Sequence, residues 1–182
     1  SNKPLKVCIV TMARSEYGLM RWLMQDIKDR SEFELQILVS GPHMMKSFGQ
    51  TYRDIEKDGF NINHKIPLPC EDTSPVGWAE NVGFLTENIA RVFKKMQPDL
   101  VLFMGDRNEL LATLNAGLLM NIPMGHISGG EITEGSTDNQ IRHSATKMGH
   151  LHFVANKTYA KRVRQMGEEN WRICVSGEPG LD

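Results

Sequence analysis

Apolar positions along the chain fall into short runs separated by polar breaks, many of them marked by Gly or Pro. Leu5 to Thr11 (LKVCIVT) is rich in β-branched residues and reads as a buried strand; the polar Met12 to Gly18 reads as a loop, and Leu19 to Lys28 has helical spacing. The pattern recurs with a strand over Phe33 to Val39, a break at Gly41-Pro42, a helix from Met44 to Lys57 and a short strand from Asn61 to Ile66. Beyond the proline-punctuated loop Pro67 to Val76, the spacing predicts helix Gly77 to Lys95, strand Leu100 to Met104, helix Glu109 to Met120 and strand Pro123 to Ile127. A Gly-rich polar loop, Ser128 to Thr137, leads to helix Asn139 to Met148, strand Leu151 to Val154, helix Lys157 to Met166 and strand Arg172 to Ser176. Alternating strands and helices of this kind build a parallel sheet, so the expected class is α/β with a doubly wound, Rossmann-like sheet. In that architecture ligands collect at loops after the carboxyl ends of strands, which singles out Met12 to Gly18, Gly105 to Asn108 and Ser128 to Thr137.

Composition narrows the class. With 182 residues, 40% hydrophobic and 24% charged, the chain has the makings of one folded domain and not of a disordered tail. A net charge of −1 provides no general attraction to nucleic acid or anionic lipid, so an anionic ligand must be held by a few placed residues. The three cysteines, Cys8, Cys70 and Cys174, lie far apart with no CxxC pair, which argues against a disulfide framework or a zinc ribbon and favours a reducing, cytoplasmic setting. No run approaches the length of a membrane span, and Leu5 enters a strand directly instead of a signal-peptide core. Ser1 and Asn2 read as a cloning remnant, and the turn-forming Gly177-Glu-Pro-Gly-Leu-Asp182 reads as the start of a crossing toward a second domain.

Chemistry concentrates in three places. Gly105-Asp106-Arg107 stands where a buried strand ends: Gly allows close backbone approach, Arg107 can fork onto a phosphate, and Asp106 is either an acid or base or simply the cap of the next helix. The two readings differ in outcome. A catalytic Asp106 predicts that Asp106→Asn lowers turnover with the melting temperature nearly unchanged, whereas a cap predicts that both fall together. Arg14 lies in the loop after the first strand, where phosphates often land, although taken alone it reads better as a surface residue paired with Glu16; the chain lacks GxGxxG and GxxxxGK[ST]. The richest segment runs from His126 through Glu131, Glu134 and Asp138 to Arg142 and His143. Asp138 and Arg142 are four apart, as in an ordinary helical ion pair, but several carboxylates, a forked cation and two histidines on one strand-end loop suit proton transfer beside an anion. His150-x-His152 lacks a third ligand, so no metal site is expected; the eleven methionines read as core filler, and no GxSxG elbow offers a nucleophile.

Taken together, Thr11-Met-Ala-Arg14-Ser-Glu-Tyr17-Gly18, Gly105-Asp106-Arg107, His126-Ile-Ser-Gly-Gly-Glu131-Ile-Thr-Glu-Gly, Asp138-Asn-Gln-Ile-Arg142-His143, Thr146-Lys147 and His150-Leu-His-Phe153 resemble the UDP-N-acetylglucosamine 2-epimerases, most closely their hydrolysing branch. The resemblance spans the whole chain. It implies one half of a GT-B-like, two-domain fold with the substrate between the halves, the carboxyl-terminal nucleotide-binding domain being absent from this chain. It also implies a reaction needing neither metal nor cofactor: removal of the sugar's carbon-2 proton with anti elimination of UDP, then hydration of the glycal to N-acetylmannosamine for sialic-acid-like sugars. Asp106 and Asp138 match catalytic carboxylates, and Arg14, Arg107, Arg142 and His143 match the substrate-binding region. Ser128 stands where many members carry a glutamate, leaving Glu131 or Glu134 to supply a third carboxylate, with Glu131 taken as catalytic. Asn139 replaces a second aspartate. The insertion Thr133-Glu134-Gly135 resembles sequences acting in legionaminic-acid-type pathways, which makes UDP-N,N'-diacetylbacillosamine a second substrate expectation. A non-catalytic sugar-nucleotide module is the reading from another class, and a homodimer is expected of the full-length enzyme.

Overall fold

The computed structural model describes residues 3–134 and 137–180. Ser1 and Asn2, Gly135 and Ser136 of the Gly-rich loop, and the last two residues of the terminal turn, Leu181 and Asp182, lie outside the described residues.

The strands, in chain order, are β1 (Leu5–Thr11), β2 (Phe33–Val39), β3 (His64–Lys65), β4 (Leu100–Met104), β5 (Met124–Ile127), β6 (Leu151–Val154) and β7 (Ile173–Val175). All pair in parallel in the order β3-β2-β1-β4-β5-β6-β7, the doubly wound arrangement expected. The chain turns back after β3 to place β4 beside β1, so the switch point lies between those two central strands. Helices α1 (Arg14–Asp29) and α2 (Tyr52–Lys57) cover one face; α3 (Pro75–Met96), α4 (Leu110–Leu119) and α5 (Asp138–Met148) cover the other, and α6 (Lys157–Gln165) joins β6 to β7.

Because both faces are covered, the central strands are apolar throughout. In β1, Val7 and Ile9 pack with Met20, Met24 and Ile27 of α1, while Cys8 and Val10 pack with Leu85, Ile89 and Phe93 of α3. Burial raises the Cys8 thiol to a pKa of about 12, which makes it an inert core residue.

Three elements differ from expectation. α1 begins at Arg14 and not at Leu19, because the buried Glu16 side chain reaches back to accept the Met12 N–H at 2.8 Å, making Arg14 to Glu16 a helical first turn. The helix expected over Met44 to Lys57 is two 3₁₀ turns, Gly41–Met44 and Lys46–Phe48, followed by α2; Gly49 (φ 81°) and Gln50 (φ 50°) are left-handed and interrupt it. β3 is a two-residue edge strand where six residues were expected.

Candidate functional site

Above the carboxyl ends of β1, β4 and β5 lies a cleft of about 330 Å³. Ser15, Glu16 and Leu19 of α1 form one wall, Met104 to Arg107 the floor, and Ser128, Glu131 and Arg142 the opposite wall, with Glu178 of the terminal segment at the edge. Its position follows from topology: β1 and β4 are neighbours whose following segments leave in opposite directions and open a crevice at the switch point.

The ion pair between Asp106 and Arg142 organises the far wall. Arg142 lies on α5 and its side chain is only 6% exposed. Its Nη1 donates to the Glu131 carbonyl (3.3 Å) and Asn139 Oδ1 (3.1 Å), and its Nη2 to Asp106 and to Thr133 Oγ1 (3.1 Å). One guanidinium thus ties β4's exit, β5's exit and α5 together. This corrects both structural alternatives drawn from sequence. Asp106 is not a helix cap, since the α4 N-cap is Glu109, and the carboxylate paired with Arg142 comes from 36 residues away and not from Asp138 at i−4.

Across the floor, Arg107 is engaged with Glu109, its Nε and Nη2 each 3.3 Å from a carboxylate oxygen. Glu109 is 1% exposed, so this pair is rooted in the protein although Arg107 itself faces the cleft. Glu16 has no lysine or arginine at ion-pair distance among the described residues. Burial first, then the negative charge of Glu109, pushes its carboxyl up to about 7 against the pull of its hydrogen bond from Met12 and of Arg107. Glu131 is also raised, by burial, by Glu178 and by Asp106, with Arg142 opposing.

Behind the wall, His126 is fully buried on β5 and stacks on Phe103 at 5.4 Å. Its Nδ1 is 3.3 Å from Thr146 Oγ1, which itself donates to the Arg142 carbonyl at 3.2 Å. Burial, then His152 and Arg142, lowers its pKa to about 3, so a neutral ring supports the arginine helix. Ser128 holds left-handed backbone (φ 66°) where β5 exits, a conformation that costs a serine about 1 kcal/mol or more.

Of the residues singled out from sequence, Asp106, Arg107, Glu131 and Arg142 meet in the cleft. Arg14 does not: it is 78% exposed at the start of α1 and pairs at 3.7 Å with Asp54, where a pair with Glu16 was expected, beside a separate depression. His143 follows Arg142 but points to another α5 face, lining a groove with Asn139, Lys147 and Met166. Asp138 opens α5, half-buried, and is not among the cleft-lining residues; Glu134 is exposed. His150 and His152 serve the fold, His150 Nδ1 accepting the Met124 N–H at 3.1 Å and His152 lying buried 3.7 Å from Glu168. Sequence reasoning missed Glu16, Glu109 and Glu178. For Glu16 the one available signal was a Glu three positions into a post-strand turn, the second half of a capping box whose Ser or Thr is here Ala13. Among the described residues no helix is long and apolar enough to cross a membrane.

Comparison with known proteins identifies the family of the chain. Residues 25–182 match the family model described as UDP-N-acetylglucosamine 2-epimerase. A Campylobacter jejuni protein named GDP/UDP-N,N'-diacetylbacillosamine 2-epimerase (hydrolyzing) is 40% identical over 94% of this chain and 44% of its own length. A Legionella pneumophila UDP-N,N'-diacetylbacillosamine 2-epimerase (hydrolyzing) is 36% identical over 97% of this chain and 47% of its own, and a Neisseria meningitidis UDP-N-acetylglucosamine 2-epimerase is 33% identical over 97% and 46%. The chain therefore spans somewhat under half the length of these curated relatives. Among solved structures, a UDP-N-acetylglucosamine 2-epimerase superimposes with a TM-score of 0.86 at 21% identity over 98% of this chain and 49% of that one. The Neisseria meningitidis enzyme bound to UDP-GlcNAc gives 0.85 at 17% over 96% and 46%, a likeness of fold. By its match to the family model over most of its length, the chain belongs to the UDP-N-acetylglucosamine 2-epimerase family.

Proposed function

We propose that this chain is the amino-terminal, sugar-side half of a two-domain hydrolysing UDP-sugar 2-epimerase. The observation that carries the reading is the Asp106–Arg142 pair at a switch-point cleft in which Glu16, Glu131 and Glu178 also gather. Four carboxyl groups against two arginines, both already paired, make a poor main seat for a diphosphate, but they suit proton transfer at a sugar carbon and hydrogen bonding to sugar oxygens. The relatives are about twice as long, which supports a second domain supplying most of the nucleotide contacts.

In this reading Asp106 is oriented by the buried guanidinium and takes the carbon-2 proton. Arg107, whose guanidinium faces the cleft from the pair with Glu109, meets negative charge gathering on the departing UDP, and water adds to the glycal to release the free 2-epimerised sugar. Glu131, raised by burial and by Glu178, is suited to carry a proton beside Asp106.

For the substrate we favour UDP-N,N'-diacetylbacillosamine, on the strength of the 40% and 36% identical relatives named for it. UDP-N-acetylglucosamine is the second reading, supported by the 33% identical Neisseria meningitidis protein. The test is proton NMR of the protein at its natural length, in deuterated water, with each nucleotide sugar in turn. Release of UDP with a free product deuterated at carbon 2 is expected, faster from the diacetylated substrate. Reversible exchange between UDP-sugars without UDP release would replace the hydrolysing reading with a nonhydrolysing one, and silence from both substrates would leave a binding module.

A further inference from the structure

Glu16 is the most deeply buried of the cleft carboxyls that have no cation at ion-pair distance among the described residues, and its geometry is too specific for a bystander. Its Oε2 is pinned by the Met12 N–H at 2.8 Å, which fixes the side chain at the foot of α1. Its Oε1 faces Gly105, and a Cβ at that position would lie 2.9 Å from it. Gly105 has φ 106°, a conformation open to glycine and strained for other residues, so no side chain at that position stands over the oxygen, and Glu16 lines the cleft.

The charged groups around it are otherwise committed. From the β4 exit Asp106 is held by Arg142 of α5, and at the start of α4 Glu109 is held by Arg107; Glu131 after β5 and Glu178 of the terminal segment add further negative charge on the far side. A buried carboxyl set among acids whose counter-ions are taken is most stable with its proton on.

We propose that Glu16, as a neutral carboxylic acid, donates a hydrogen bond from Oε1 to an oxygen of the bound sugar nucleotide. The inference rests on the UDP-sugar reading above. A protonated acid on the floor serves two ends: it offers a donor where both arginines are occupied, and it keeps one more negative charge away from an anionic ligand. The burial-driven rise of its pKa to about 7 has the same sense.

The decisive variant is Glu16→Gln in the protein at its natural length. The amide oxygen can accept the Met12 N–H while the NH₂ donates permanently toward the ligand. Calorimetric titration with UDP-N-acetylglucosamine and UDP-N,N'-diacetylbacillosamine between pH 6.5 and 8.5 should show wild-type affinity falling toward about tenfold per pH unit above 7, with Glu16→Gln holding its pH 6.5 affinity throughout. Glu16→Met, which has no donor, should bind about tenfold or more weakly at pH 6.5, the scale of one lost hydrogen bond. Coincident wild-type and Glu16→Gln profiles, with binding and turnover intact, overturn the role of Glu16 and leave the epimerase reading standing. Absence of binding and of turnover in the wild type overturns both. Carboxyl carbon NMR of the ligand-free protein provides a ligand-independent arm: titration of Glu16 below pH 5 overturns the inference whatever the ligand does.

Discussion

Replacing Asp106 by Asn tests whether the Asp106–Arg142 pair is structural as well as chemical. Arg142 is 6% exposed, and of the four oxygens it donates to, only the Asp106 carboxylate is charged; the others are the Glu131 carbonyl, Asn139 Oδ1 and Thr133 Oγ1. Asparagine keeps an acceptor in place but removes the counter-charge from a buried guanidinium. Breaking a buried pair costs about 3–5 kcal/mol. Asp106 is 27% exposed, so water screens part of the attraction and the retained hydrogen bond recovers more, leaving an expected cost of about 2 kcal/mol. For a domain of this size that corresponds to a fall in melting temperature of roughly 4–8 °C. Urea unfolding of wild type, Asp106→Asn, Arg142→Met and the double variant forms a cycle, with an expected coupling of about 2 kcal/mol. A coupling below about 0.5 kcal/mol, with the Asp106→Asn midpoint unmoved, would refute the view that this pair clamps the strand exits to α5. It would restore the expectation, drawn from sequence, that the substitution is silent in stability.

Glu16→Gln should raise stability in a pH-dependent way. The folded pKa is raised from 4.5 to about 7, so the stability that Glu16 contributes is present in acid and is lost as pH climbs through 7; the variant should match wild type near pH 4.5 and exceed it by about 3 kcal/mol at pH 8.5 in urea unfolding, and an equal difference at both pH values defeats the assignment. His126 has the opposite sign: its folded pKa of about 3 means that stability is complete above pH 6.5 and declines by about 1.4 kcal/mol per unit as pH falls. His126→Gln should therefore flatten the acid limb of the stability profile, and an unchanged limb counts against a buried neutral ring. Gly105→Ala places a methyl group 2.9 Å from Glu16 Oε1 on left-handed backbone, with an expected cost of about 1–3 kcal/mol in unfolding and weakened ligand binding; wild-type behaviour in both assays would show that this floor is not tightly set.

Most of the fold was legible because its signals are local. Strands β1, β2, β4 and β6 match the apolar runs read from sequence, since buried parallel strands carry hydrophobic side chains on both faces, and Pro98 and Pro123 mark where β4 and β5 are entered. The errors lie where a long-range contact overrides propensity. Arg14 to Glu16 look like a polar loop until Glu16 folds back on Met12, and Met44 to Lys57 has helical spacing that left-handed Gly49 and Gln50 divide. The site followed the same rule. Asp106, Arg107, Glu131 and Arg142 were recoverable because each belongs to a strand-end segment or the helix beside it, and topology alone brings those ends together. Their partners were not: nothing in a spacing of 36 residues says that Arg142 closes on Asp106, and the i,i+4 geometry pointed to Asp138 instead.

Several positions that break local sequence rules sit together around the cleft. Glu16 is a buried acid with no cation at ion-pair distance among the described residues, Gly105 and Ser128 adopt left-handed backbone where β4 and β5 exit, and Glu109 is an N-cap residue whose side chain makes no capping hydrogen bond and turns to Arg107. The buried acid, the left-handed serine and the unused cap are unfavourable by local criteria, Gly105 is a backbone position that only glycine takes without strain, and all four abut the Asp106–Arg142 pair or the floor beneath it. Left-handed Gln50, Gln97 and Asn121 lie away from the cleft, but a buried acid, a strained serine and an unused cap meeting at one strand-end crevice fit residues set there by ligand chemistry and not by folding. Arg14, at the same end of the sheet, instead follows ordinary surface rules with an exposed pair to Asp54. Arg14→Ala should therefore leave stability within about 0.5 kcal/mol. Any effect on binding to the full-length protein would then report a contact made only once the cleft is filled.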